Sequence, residues 1–167
     1  MKSFRERLQY DAGRGEYLDS GIRYMMIRPD ALMGILHELD GAQRLPVLEA
    51  FARSITRHGS KSARAYQAMG AADADALLET IRATAPELGW GRWRFTRVDG
   101  GLDLTVENSP FAQGHGPSEN PVCSPIVGML RAIGSMALGG DVEVTETACA
   151  AMAGVDACRF EVRISSK

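Results

Sequence analysis

The chain has 167 residues, the usual size of one domain, and 45% of them are hydrophobic, which is enough to bury a substantial core. The formal net charge is −2, and the 19 basic residues are scattered, so the composition argues against a nucleic-acid partner. No apolar run has the length of a membrane span, and the N-terminal residues lack the apolar stretch of a signal peptide. We therefore expect a cytoplasmic protein.

The first 28 residues predict short strands. Residues 8–18 (LQYDAGRGEYL) place two strand-like pieces on either side of a glycine-containing turn, which predicts a hairpin. Ile22–Arg28 predicts a further strand, which Pro29 ends. We treat residues 1–20 as an N-terminal extension within a single domain that spans residues 1–167.

Residues 30–86 predict four helices. Asp30 can cap the first, which runs to about Leu39, and Pro46 suits the first turn of the second. The dipeptide His58-Gly59 is expected to end the second helix. A third helical stretch follows, and Asp73 begins the fourth.

The hydrophobic period then changes from helical to alternating. In GWGRWRFTRV, Trp93 and Phe95 share one face, and the three apolar residues of LDLTVE do the same. The turn signal DGG at 99–101 joins the two runs, so they predict a β-hairpin. The loop at 108–121 is rich in Gly, Pro, Ser and Asn, and is expected to be either a lid over a binding site or a disordered segment.

Ser124-Pro125 opens a helix that is apolar nearly all round and ends at Gly139-Gly140. Small residues within 126–138 let another element pack closely, so we expect this helix in the core or at a subunit contact. A final hairpin pairs DVEVTET with CRFEVRI. The separate helices and antiparallel hairpins predict an α+β fold, with a helical layer packed on a small antiparallel β-sheet.

The final hairpin contains the chemistry-bearing residues. Strand side chains alternate in direction, so Glu146 and Cys158 share the inward parity of the apolar residues in their strands. Cys149 follows Glu146 in the connection, and Cys123 lies immediately before the apolar helix. A carboxylate on an apolar strand face is costly unless it is paired or bound to a metal.

Three cysteines and one glutamate are a suitable donor set for one tetrahedral zinc ion. Four protein ligands leave no open position for water, so such a zinc site would be structural rather than catalytic. The alternative is that the cysteines only pack in the core and that Glu146 caps a turn in solvent.

Several segments resemble one known family. The tail from Asn108, with NSPFA, PVC and VEVTETACAAMAGVDACRF, resembles the 4-vinyl reductase (4VR) domain, also described as hydrocarbon-binding. The earlier segments RYMMIRPDALMGIL and GWG fit as well, so the resemblance covers about 22–165. It implies an α+β fold, usually dimeric, that is similar to vesicle-tethering (TRAPP-like) subunits. In phenol-sensing members, the zinc ligands fall on the positions of Cys123, Glu146, Cys149 and Cys158.

The resemblance also implies a hydrophobic pocket between helices and sheet. The candidate ligand contacts are Trp93, Phe95, Leu104, Phe111, Val127 and Val144. The alternative for each of them is an ordinary core position. Phenol-sensing members hold the ligand hydroxyl with a His and a Trp, but no motif places that pair here. His37, His58 and His115 are each expected at the surface.

The sequence favours binding over catalysis. It contains no G-x-G-x-x-G nucleotide fingerprint, no evident acid–base pair, no P-loop and no clear helix-turn-helix. We expect a zinc-containing module that binds a hydrophobic or aromatic small molecule, forms a homodimer and acts through a protein partner. The alternatives are an accessory role in tetrapyrrole vinyl reduction and a dimeric structural adaptor that uses helix 126–138 as its contact surface.

Overall fold

A computed structural model describes residues 2–68, 70–71 and 73–165 of the chain. The strands are β1 (Gln9–Asp11), β2 (Glu16–Asp19), β3 (Ile22–Tyr24), β4 (Arg92–Val98), β5 (Gly101–Glu107), β6 (Val142–Ala148) and β7 (Cys158–Ile164). The α-helices are α1 (Phe4–Arg7), α2 (Pro29–Met33), α3 (Gly41–Ala68), α4 (Ala74–Glu87), α5 (Pro110–His115) and α6 (Ser124–Leu138). A 3₁₀ helix, Gly34–Glu38, follows α2 directly. Within the described ranges no helix combines the length and apolar character that a membrane crossing requires.

The larger sheet is antiparallel, with the strand order β4-β5-β7-β6. Its inner face is apolar because alternate residues point to it: Leu104 lies opposite Phe160, and both are buried. Its outer face is polar, where Arg92 and Arg94 pair with Glu107 across the β4–β5 hairpin at 3.2 and 3.3 Å. Helices pack on the inner face, which confirms the predicted α+β class.

α6 lies in the core, between α3 and the sheet. A Cβ atom on Gly128 would overlap the carbonyl oxygen of Ala52 in α3, and one on Gly134 would lie 2.8 Å from Cγ1 of Val162 in β7. The small residues of α6 therefore admit neighbours within the same chain. The core alternative is correct, and α6 is not available as the contact surface of an adaptor.

α3 is longer than the sequence indicates. It passes through His58 and Gly59 without a break, so the predicted helix end at this dipeptide is wrong. Gly59 is buried, and a Cβ there would lie 3.1 Å from Cε of Met129 in α6. The glycine thus makes room for a methionine of the neighbouring helix and does not act as a C-cap.

Two other segments differ from the prediction. The strand expected over 22–28 ends at Tyr24, and Met25 is exposed. The segment 108–121 is neither an open lid nor disordered, because it contains α5. The hydroxyl of Ser109 caps α5, and Phe111 is buried beneath it.

The three N-terminal strands form a separate antiparallel sheet, in which β1 and β2 make a hairpin and β3 pairs with β2. Arg7 of α1 donates two hydrogen bonds to Asp19 at 3.2 and 3.1 Å. The Arg7 guanidinium also lies 5.7 Å from the ring centre of Tyr66 in α3. These contacts hold the N-terminal sheet against the helical layer.

We expect Gly128→Ala to destabilise the fold, because the added methyl group would overlap the α3 backbone, which cannot move aside as a side chain can. The cost of such overpacking is roughly 1–3 kcal/mol. Gly140→Ala is the matched control, since a Cβ there meets nothing within 4 Å. Chemical denaturation of both variants measures the difference. Equal stabilities would show that α3 and α6 are not packed as described.

Candidate functional site

Three parts of the chain bring the predicted metal-ligating residues together. Cys123 is the N-cap of α6, Glu146 lies near the end of β6, Cys149 follows β6, and Cys158 begins β7. One potential ligand atom from each residue lies within 4.8 Å of the other three. The three cysteines are fully buried and Glu146 is partly buried. The structure therefore contains a cluster that could hold a metal ion.

A bulge in β6 explains how Glu146 and Cys149 reach the same side. Residues three apart point to opposite faces of a regular strand. Here Glu146 pairs with Phe160, whereas Ala148 pairs with Arg159, so Thr147 is an extra residue in the ladder. The register shift places Cys149 opposite Cys158, on the inward side.

The distances within the cluster suit tetrahedral coordination. Cys123 Sγ lies 3.5 Å from Cys158 Sγ and 3.8 Å from Cys149 Sγ. Metal–sulfur bonds of about 2.3 Å at the tetrahedral angle require sulfur–sulfur separations of about 3.8 Å. The Glu146 carboxylate accepts a hydrogen bond from the Cys123 backbone N–H at 2.9 Å through Oε2.

The other carboxylate oxygen of Glu146, Oε1, is buried and has no hydrogen-bond partner among the described residues. Such an atom costs free energy unless a cation or donor satisfies it. Its position beside three sulfur atoms fits a metal ligand, so the residues present match a thiolate-rich metal site.

The electrostatics of the cluster also indicate a missing positive charge. Burial, together with the neighbouring Cys149, raises the pKa of Glu146 to about 8. Hydrogen bonding from Cys123 and Cys149 lowers the pKa of Cys158, helped by the Ala150 backbone N–H, 3.3 Å from its sulfur. The same thiol contacts raise the pKa of Cys123. Without a cation the cluster keeps its first negative charge on Cys158, and a divalent ion would let the other groups ionise.

A second feature is an apolar cavity between α3, α4 and the end of β3, here called the inner cavity. Its volume is about 310 Å³. It is lined by Ile22, Tyr24, Met25, Ile55, His58, Gly59, Ser62, Ala63, Tyr66, Ile81, Thr84, Ala85, Leu88, Trp90, Trp93 and Met129. Met129 belongs to α6, the helix that begins beside Cys123.

A neighbouring cleft, here called the outer cavity, has a volume of about 470 Å³ and lies beneath the N-terminal segment. It is lined by Phe4, Arg5, Leu8, Tyr17, Tyr24, Met25, Met26, Ile27, Pro29, Leu32, Pro86, Glu87, Leu88, Gly89, Trp90, Pro110 and Phe111.

The six residues predicted to contact a ligand do not surround one cavity. Trp93 lines the inner cavity and Phe111 the outer one. Val127 and Val144 line a shallow pocket that also includes Glu146. Phe95 and Leu104 line neither the inner nor the outer cavity; Phe95 packs edge-on against Trp93, and Leu104 is buried in the sheet.

Comparison with protein families tests the resemblance seen in the sequence. Residues 102–164 match the vinyl-4-reductase (4VR) domain. The resemblance to the 4-vinyl reductase family is therefore confirmed. The matched residues, here called the 4VR segment, make up less than half of the chain but include Cys123, Glu146, Cys149 and Cys158. No curated protein matches the sequence.

Solved structures match the fold over most of the chain. The phenol-responsive sensory domain of the transcription activator PoxR, solved with phenol, has a TM-score of 0.80 and 20% identity, covering 96% of this chain and 86% of that one. A trafficking protein particle complex subunit 3 from Naegleria fowleri, covalently bound to palmitic acid, has a TM-score of 0.58 and 14% identity, covering 83% and 95%. A vinyl-4-reductase family protein from Methanocaldococcus jannaschii has a TM-score of 0.53 and 15% identity, covering 87% and 100%.

Sequence reasoning missed two groups of site residues. Ser109 lies 3.3 Å from the sulfur of Cys123, and the dipeptide Ser109-Pro110 is a helix-start signal within the supposed loop. His58 is exposed, as expected, yet it lines the inner cavity together with Trp90 and Trp93. No local motif brings these three together, because α3, the turn after α4 and β4 meet only in the folded chain.

We expect Ser109→Ala to weaken both α5 and the cluster in the 4VR segment, because Ser109 Oγ contacts the Ala112 N–H and the Cys123 sulfur. The loss of an N-cap costs about 1 kcal/mol. Ser118→Ala is the control, since its hydroxyl contacts only the Asn120 backbone near the surface. Thermal melting and the rate of thiol labelling check the effect. Identical behaviour of the two variants would contradict a supporting role for Ser109.

Proposed function

We propose that this chain is a zinc-containing module that binds a hydrophobic or aromatic small molecule and acts through a protein partner. The observation that carries the proposal is the convergence of three sulfurs and one carboxylate within 4.8 Å. That cluster stands at the start of α6, whose Met129 lines the inner cavity. The fold shared with a phenol-responsive sensory domain supports a small-molecule ligand.

Zinc is the proposed ion because its preferences agree with the donor set. It favours four-coordinate tetrahedral sites in which cysteine sulfurs predominate, and closed sites of this kind are structural. A zinc ion here would connect the N-terminus of α6 to both strands of the β6–β7 hairpin. It would also supply the positive charge that the buried Glu146 carboxylate lacks.

The inner cavity is the proposed ligand site. Small-molecule sites have volumes of about 300–1,000 Å³, with mainly apolar walls and a few polar groups. The inner cavity, at about 310 Å³, lies at the lower end of this range. His58, Trp90 and Trp93 line it together, which supports an aromatic ligand that carries a hydroxyl group.

We expect the purified protein to retain close to one zinc per chain, and Cys149→Ser to lose most of it together with thermal stability, because metal binding is coupled to folding. Glu146→Gln keeps the side-chain volume but removes the charge, so it should bind zinc more weakly. Glu143→Gln, an exposed position in the same strand, is the control and should bind normally. Native mass spectrometry and thermal melting give both readouts. Full zinc content and an unchanged melting temperature in Cys149→Ser would rule out the site.

We expect small aromatic compounds to change the tryptophan fluorescence, because both tryptophans line the inner cavity. Ser62→Leu should weaken this binding about tenfold or more by filling part of the cavity, an effect of roughly 1.4 kcal/mol. Ser54→Leu is the matched control on an exposed face of the same helix. Equal affinities of the two variants would place the ligand elsewhere, and no response to any compound would favour an adaptor function.

Homodimer formation, a cytoplasmic location and the extent of the single domain stay predictions. An accessory role in tetrapyrrole vinyl reduction stays the alternative function.

A further inference from the structure

The relation between the two cavities bears on the class of ligand. The inner and outer cavities share four wall residues: Tyr24, Met25, Leu88 and Trp90. None of these lies inside a helix or in mid-strand. Tyr24 ends β3 and Met25 follows it, while Leu88 and Trp90 flank a turn at Gly89, whose φ is +78°. The cavities are therefore divided by side chains from two irregular segments.

This dividing wall can open without disturbing the core. Met25 is 75% exposed, so its side chain can rotate into solvent. Methionine is unbranched and adapts readily to new neighbours. Leu88 and Trp90 are only partly buried. A rotation of these side chains would join the two cavities into one channel of ordinary ligand-site size.

The polar groups of the inner cavity are uncharged. They are the hydroxyls of Tyr24, Ser62, Tyr66 and Thr84, with the exposed ring of His58 at the edge. Within the described part of the chain, no Lys, Arg, Asp or Glu lines this cavity. A carboxylate placed there would be buried without a cation, which is costly.

The nearest charged pair does not alter this conclusion. Arg7 lies over the Tyr66 ring, but its guanidinium is already paired with Asp19 at 3.1 Å. Burial raises the pKa of Tyr66 to about 12, so its hydroxyl keeps its proton near neutral pH. The cavity therefore offers neutral hydrogen-bonding groups.

The outer cavity suits an alkyl chain. Its walls are mostly apolar and include Phe4, Leu8, Leu32 and Phe111. Two further apolar residues, Met26 and Ile27, line it while exposed to solvent. Its charged members are Arg5 and Glu87, and the Glu87 carboxylate accepts a hydrogen bond from the Arg5 backbone N–H at 3.0 Å.

We infer that the ligand is an elongated, neutral amphiphile. Its hydroxyl-bearing head occupies the inner cavity, and its alkyl tail passes Tyr24 and Trp90 into the outer cavity. A 4-alkylphenol has this chemistry. The inference rests on the proposed function and narrows its ligand class.

The test is a series of phenol, 4-butylphenol, 4-octylphenol and 4-octylbenzoate, titrated calorimetrically into the full chain. Each buried methylene should raise affinity by up to about fourfold. The octyl compound should therefore bind at least tenfold more tightly than phenol, and at least tenfold more tightly than the benzoate of equal tail length. If phenol binds but tail length has no effect, the inference is wrong and the proposed function stands. If the benzoate binds as tightly as the phenol, the neutral head is wrong. If no member binds, both proposals fail.

Met26→Asp locates the tail. The exposed Met26 lines only the outer of the two cavities, so a charge there should reduce the gain from the octyl chain at least fivefold and leave phenol binding unchanged. Ile35→Asp, an exposed apolar position that lines neither cavity, is the matched control. Equal octylphenol affinity in the two variants would overturn the assignment of the tail.

Discussion

The burial of one carboxylate among three sulfur atoms is the constraint on which this end of the molecule depends. Each of these groups would be tolerable alone: cysteines are often buried, and a glutamate at a strand end can face water. Together they concentrate groups that carry negative charge when ionised, in a place that water barely reaches. The arrangement is stable only if protons or a cation neutralise it. Glu146 Oε1, buried without a partner among the described residues, shows that the protein's own donors do not complete the task.

α6 connects this centre to the rest of the fold. It starts at Cys123, packs against α3 where Gly128 allows close approach, and places Met129 against Gly59 at the inner cavity. The metal-binding cluster and the proposed ligand site are thus attached to one rigid element. Any change in how α6 sits would be felt at both ends, which is a physical basis for a sensor, although energetic coupling has to be measured.

The sequence predicted the cluster better than the cavities, and the reason is range. The parity of β6 and β7 is a local property, so Glu146 and Cys158 could be placed from alternation alone. Gly59 was misread because its role depends on Met129, which lies 70 positions away. The inner cavity could not be predicted, because its wall combines β3, α3, α4, β4 and α6. Such surfaces leave no periodic signal in any single segment.

The bulge at Thr147 has a consequence for how such centres are recognised. Two intervening residues between Glu146 and Cys149 suit the site only because the ladder skips one of them. In an unbroken ladder the residue opposite Cys158 would be 148. A relative lacking one residue at 147 could therefore build the same centre on a straight strand, with a Glu-x-Cys spacing. A search that fixes the spacer length would overlook it, so the spacer and the strand irregularity should be treated as one unit.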